Sequence, residues 1–126
     1  MLELGVKGSA TLLVEESKLA KNVGSGNVAL LSSPIMIALM EEASWKGVVP
    51  FLEPGFGTVG ISVNVKHTRP TPLGMHVTAE AELIEMKGKR LIFRVSASDE
   101  LGVIGEGTHE RIIVEEAPFE AKAYGR

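Results

Sequence analysis

The chain has 126 residues, 44% hydrophobic and 23% charged, with a formal net charge of −3 and no cysteine. That length fits one domain, residues 1–126, able to bury a core of its own. The acidic balance argues against a general binder of nucleic acid or of an anionic membrane, and the lack of cysteine excludes disulfides, thiolate metal sites and a cysteine nucleophile.

The first residues, MLELGVKG, have neither the basic start nor the apolar core of a signal peptide, so the expected location is cytoplasmic. Ser9 to Glu15 reads as a first strand. Ser17 to Asn27 is mixed and ends in a loop signal, Gly24-Ser25-Gly26-Asn27. The stretch Ser32 to Val49 is the one around which the rest is organised. Its run Ile35 to Met40 is too continuously apolar for a half-exposed helix, and Glu41 and Glu42 end it well short of the about 20 apolar residues that a membrane span needs. A buried central helix is predicted, with Ser33 as a cap before Pro34 and with Pro50 as its stop.

Phe51 to Gly57, FLEPGFG, is predicted to turn the chain. Period-two alternation follows. In Gly60 to His67, Ile61, Val63, Val65 and His67 fall on one face, with Ser62, Asn64 and Lys66 on the other. The two prolines of RPTPLG, Arg69 to Gly74, cannot continue a central strand. Met75 to Met86 and Arg90 to Ser98 read as strands joined by a hairpin turn at Lys87-Gly88-Lys89, and Val103 to Glu115 as a last strand. The tail from Ala117 to Arg126 is weakly patterned and expected to fray. One helix among strands linked by tight turns is an α+β plan, and short turns require a largely antiparallel sheet. A long central helix wrapped by such a sheet is a hot-dog fold. Its open edges would favour pairing of two copies.

No local motif is specific by itself. A phosphate-binding loop is absent, and His67, His76 and His109 lie on separate strands or strand ends without metal-ligand spacing, so neither metal nor cofactor is expected. Glu41 is a carboxylate set directly after an apolar run. Burying it is costly unless it is paired, which makes it a candidate base; the plain alternative is a solvated helix face. His67 closes an apolar strand face, as a proton carrier or as a histidine at the core margin. Ser33 is either a helix cap or a hydroxyl aimed at a substrate carbonyl near free backbone N–H groups. Gly60 marks a bulge or the close approach of a ligand to the backbone. Arg111 is either a surface strand residue or a donor to phosphate or carboxylate.

Four segments together resemble a known family: LMEEAS (Leu39 to Ser44), FLEPGFGTVG (Phe51 to Gly60), VKHTRPTPLG (Val65 to Gly74) and GEGTHER (Gly105 to Arg111). Their order and spacing are similar to those of the hot-dog thioesterases related to fluoroacetyl-CoA thioesterase, from about Ser33 to Val114. The resemblance implies metal-free hydrolysis of an acyl-CoA thioester by a homodimer with sites near the subunit interface, a tetramer of two such dimers being the alternative assembly. It places the family's catalytic glutamate on Glu41, its histidine on His67 and its threonine on Ser33, with Gly60 and Arg111 beside the site. In that reading Glu41 activates water or attacks directly, and His67 carries the proton. Serine for threonine keeps the hydroxyl. The fluoroacetyl-specific enzyme has an aromatic lid before its helix where this chain has Gly24-Ser25-Gly26-Asn27, which speaks against fluoroacetyl selectivity. A hot-dog protein that binds an acyl-CoA or a small acid without turnover, and an acyl-thioester dehydratase or hydratase, are the competing functions.

One constraint is geometric. In a single straight helix, the backbones of Ser33 and Glu41 would lie about 12 Å apart. Either the helix starts after Ser33, or the partners come from two chains.

Overall fold

The computed structural model describes residues 1–125. Five strands, β1 (Lys7–Leu13), β2 (Phe56–His67), β3 (His76–Lys87), β4 (Arg90–Asp99) and β5 (Gly102–Glu115), form one sheet in the order β1-β3-β4-β5-β2. All four pairings are antiparallel. Between β1 and β2 run a 3-10 turn (Glu16–Lys18), a short helix α1 (Ala20–Val23), the long helix α2 (Ser33–Val48) and a second 3-10 turn (Val49–Phe51). The curled sheet with its long helix is the α+β hot-dog fold.

Alternation in β3 and β4 does what its period requires. Val77, Ala79, Ala81 and Leu83, with Leu91, Phe93, Val95 and Ala97, are all buried against α2. The helix answers with Met36, Leu39, Met40, Ala43, Ser44, Gly47 and Val48, a stripe at helical spacing. Small residues set how closely the two layers meet. A Cβ on Gly8 of β1 would strike the Ala43 carbonyl oxygen and come within 2.8 Å of the Gly47 Cα, so these two glycines let helix backbone rest on strand backbone.

Four expectations need correction. The helix is not wrapped all round: Pro34, Ala38, Trp45 and Val49 lie exposed on its outer side. Ser32, not Ser33, is the N-cap, its hydroxyl accepting from the Ile35 N–H at 3.4 Å. β2 begins at Phe56 rather than Gly60, and a register shift between Gly60 and Ser62 breaks its alternation. On this edge strand Ile61 and Val63 are exposed at 48% and 42%, while Val65 and His67 are only part-buried. The tail forms a helix, α3 (Glu116–Ala123), anchored where the Glu116 N–H donates to the Gly55 carbonyl. Its last expected residue, Arg126, lies outside the described residues. Among the described residues, no helix is long and apolar enough to cross a membrane.

Candidate active site

The tandem serines before Pro34 divide their tasks. Ser32 is buried and caps α2, which leaves Ser33 in the first helical turn with a free hydroxyl. That hydroxyl meets Nδ1 of His67, the last residue of β2, at 2.8 Å. The other ring nitrogen of His67, Nε2, is buried and has no hydrogen-bond partner among the described residues. Both residues line a pocket of about 330 Å³ whose remaining wall includes Ser25, Gly26, Val28, Leu30 and Arg69.

The loop on one side of the pocket is held by a buried acid. Asp99 accepts from Arg69 Nη2 at 2.8 Å, Thr71 Oγ1 at 2.9 Å and the Leu101 N–H at 2.8 Å. Burial works to raise its pKa, but these donors together outweigh burial and hold the carboxyl below its ordinary value. The Thr71 carbonyl in turn accepts from the Leu31 N–H, two residues before Ser33. The strand end bearing His67 and the helix start bearing Ser33 are thereby tied to one another.

Glu41 sits elsewhere. Glu42 turns outward to pair with Lys46, and Glu41 points over Gly60, where a Cβ would stand 2.6 Å from its Oε2. Its carboxylate lies 3.6 Å from Arg111 Nη1 and 3.9 Å from His109 Nε2. Arg111 is buried, contrary to its plain reading as a surface strand residue: Nε donates to Thr58 Oγ1 at 2.7 Å and Nη2 to the Thr58 carbonyl at 2.8 Å. Burial lowers its pKa while Glu41 opposes that, and a guanidinium remains charged.

The structure therefore assembles two groups, Ser33 with His67 and Glu41 with Gly60 and Arg111. Among the described residues no hydrogen bond or ion pair joins them. Ser33 is helical, so the alternative of a late helix start falls away and the about 12 Å of helix rise between Ser33 and Glu41 stands. Nor do three His, Asp or Glu side chains gather as a metal-ligand set would, among the described residues.

Sequence reading passed over Thr58, and weighed His109 only as a metal ligand, assigning it no role in the site. The usable signal for His109 was its place two residues before Arg111, which puts both on the inner face of β5. Its Nδ1 lies 2.8 Å from the Ser62 carbonyl, which can only accept, so Nδ1 carries the ring proton. Burial foremost, and then the Arg111 charge, lower its pKa against the opposing pull of the Ser62 carbonyl and Glu41. Linkage gives the sign. The unfolded chain protonates this histidine as pH falls through the ordinary 6.5, whereas the folded chain resists until lower pH. The stability it supplies is complete above that value and declines as pH drops toward the folded pKa. Thermal midpoints measured from about pH 7 down to about pH 5 are expected to fall more steeply in the wild type than in His109→Gln. Equal slopes would contradict a neutral buried imidazole.

Comparison with known proteins identifies the family. A family profile described as fluoroacetyl-CoA-specific thioesterase matches residues 14–117. The fluoroacetyl-CoA thioesterase of Streptantibioticus cattleyicolor is 44% identical over 93 residues, 74% of this chain and 67% of the relative. A threonine-to-serine variant of a fluoroacetyl-CoA thioesterase, solved with acetyl-CoA, superposes with a TM-score of 0.92 at 35% identity, covering 98% of each chain. A thioesterase superfamily member from Thermus thermophilus gives 0.89 at 29% identity, covering 98% of this chain and 92% of its own. By profile, sequence and structure, this chain belongs to the fluoroacetyl-CoA-specific thioesterase family.

Proposed function

We propose that Ser33, Glu41 and His67 carry out the acyl-CoA thioester hydrolysis that membership of this family brings to the chain, in a homodimer that completes each site with groups from both subunits. The observation that carries this reading is the Ser33–His67 hydrogen bond at the pocket wall, with Nε2 of His67 buried and bare. Glu41, the carboxylate such a pair needs, lies two helical turns away in the same chain, so a second copy is the source that brings it within reach. Exposed apolar groups on β2 (Ile61, Val63), on α2 (Trp45) and on the 3-10 turn after it (Val49) give such a copy a surface to cover.

The chemistry follows from the groups. Glu41 takes a proton from water as its oxygen attacks the thioester carbonyl carbon. The carbonyl π pair moves to oxygen, and the Ser33 region, at the amino end of α2, receives that negative charge. Collapse of the tetrahedral species expels the CoA thiolate. With Nδ1–H donating to the Ser33 oxygen, Nε2 of His67 is a lone pair that takes the proton held by Glu41 and passes it to the thiolate sulfur, so the ring returns to its neutral form and Glu41 to its carboxylate. The products are the free acid and CoA. The pocket bounded by Ser25, Gly26, Val28 and Leu30 receives the acyl group, and a CoA thioester substrate agrees with the expected cytoplasmic location.

Mixing two inactive variants tests the shared site. Ser33→Ala and Glu41→Gln homodimers should each release little thiol from short and aromatic acyl-CoAs. After subunit exchange, random pairing makes heterodimers with one intact site each, and about a quarter of the wild-type rate should return. No recovery, with exchange verified by tagged subunits, would place all catalytic groups in one chain. Binding of acyl-CoA without thiol release by the wild type would overturn hydrolysis itself.

A further inference from the structure

His109 makes no hydrogen bond to Ser33, Glu41 or His67, yet it is 2% exposed at the centre of the Glu41 cluster and stacks on Phe93, with ring centroids 6.3 Å apart. Its Nδ1–H is committed to the Ser62 carbonyl on β2, just beyond the bulge. Nε2 is therefore a lone pair. It lies 3.2 Å from Arg111 Nη1, a group that can only donate. At 3.9 Å from Glu41 Oε2, the same lone pair faces another acceptor and makes no bond there.

Arg111 is thus held at three points: Nε and Nη2 on Thr58, and Nη1 on His109. What remains of Nη1 is turned toward Glu41 Oε2 at 3.6 Å. We infer that His109 is a positioning residue, a neutral acceptor that fixes the Arg111 guanidinium so that its charge holds the Glu41 carboxylate over Gly60. This rests on the reading of Glu41 as the catalytic carboxylate. Thr58 alone anchors one side of a long side chain. Without the third point the guanidinium can pivot about that side, and the carboxylate loses its fixed partner.

The inference makes two amide substitutions behave differently. His109→Gln can place an amide oxygen near the Nε2 position and accept from Arg111. His109→Asn can reproduce only the donor to the Ser62 carbonyl. Both lose the ring packed on Phe93, so a merely structural role would make them fall together. With the full-length enzyme and thiol release from an acyl-CoA the wild type turns over, His109→Asn should lower kcat by about 100-fold, the order expected when a catalytic group is misplaced. KM should change little, and His109→Gln should recover kcat to within a few-fold of the wild type. Thermal midpoints of both variants, and assays well below them, keep unfolding out of the comparison.

Glu41→Gln serves as the control. If it is inactive while the two His109 variants share the same kcat, whether high or low, His109 positions nothing and the inference is overturned. If Glu41→Gln itself turns over like the wild type, the reading of Glu41 fails, and the role of His109 falls with it.

Discussion

Replacing Glu41 with glutamine is expected to lower kcat for thioester hydrolysis by about 100- to 10,000-fold, the range that a positioned general base supplies. The amide has the volume of the carboxylate but cannot take a proton from water. The fold has little reason to respond. Glu41 is part-exposed, at 40% for its side chain, and Arg111 keeps its bonds to Thr58 and His109. A companion change approaches the same carboxylate from below. In Gly60→Ala the new methyl would lie 2.6 Å from Glu41 Oε2 and 3.1 Å from His109 Cε1. The end of the Glu41 side chain gives way readily while the buried His109 ring must yield by a few tenths of an ångström, so the thermal midpoint should fall modestly while kcat falls strongly. Glu41→Gln with a wild-type kcat would remove Glu41 from the chemistry.

Gly8→Ala should do the reverse. Its methyl would overlap the Ala43 carbonyl oxygen and stand 2.8 Å from both the Cα and N of Gly47. All of these are backbone atoms, and none can rotate aside. Either α2 lifts from β1, or β1 parts from β3. Overpacking typically costs about 1–3 kcal/mol, and a clash with rigid backbone belongs at the upper end of that range. For a domain of this size the thermal midpoint should drop by about 10 °C. Calorimetry of the variant decides the matter: an unchanged midpoint would mean that the helix does not rest on β1 as described. The two glycines thus separate the terms. Gly60 is kept clear for a carboxylate, and Gly8 for a helix.

What the sequence revealed follows from how local each signal is. β3 and β4 are legible because their alternation holds over Val77 to Leu83 and Leu91 to Ala97, before the register shifts at Leu83/Glu85 and Ala97/Ser98, so every second residue of those runs is buried. β2 is less legible because a bulge at its middle reverses which residues face inward, and because it is an edge. Its first residues read as a turn. Gly57, though in the strand, has the Glu116 side chain of α3 lying across it, a contact between segments far apart in sequence. Ser33 was singled out as a candidate, but its freedom to reach His67 depends on Ser32 taking the cap, and two adjacent serines before a proline look alike until the helix is placed. Glu41 and Arg111 were legible as residues through the family resemblance. Their mutual approach was not, since it is made by the long-range pairing of β2 with β5, which sets Gly60 opposite Arg111, and by Thr58, a residue with no distinguishing pattern around it.

The wall of the pocket also has a consequence for how such an enzyme can diversify. The Ala20 N–H donates to the Leu30 carbonyl, and Leu19 bridges to Leu31, so the residues between leave and rejoin the fold at nearly one point. A loop closed in this way can be lengthened at small thermodynamic cost, about 0.6 kcal/mol for each doubling. Neither the cap at Ser32 nor the braced Arg111 is built from it. If that pocket takes the acyl group as proposed, a library randomised from Lys21 to Val28 is expected to retune acyl preference while leaving Ser33, Glu41 and His67 untouched.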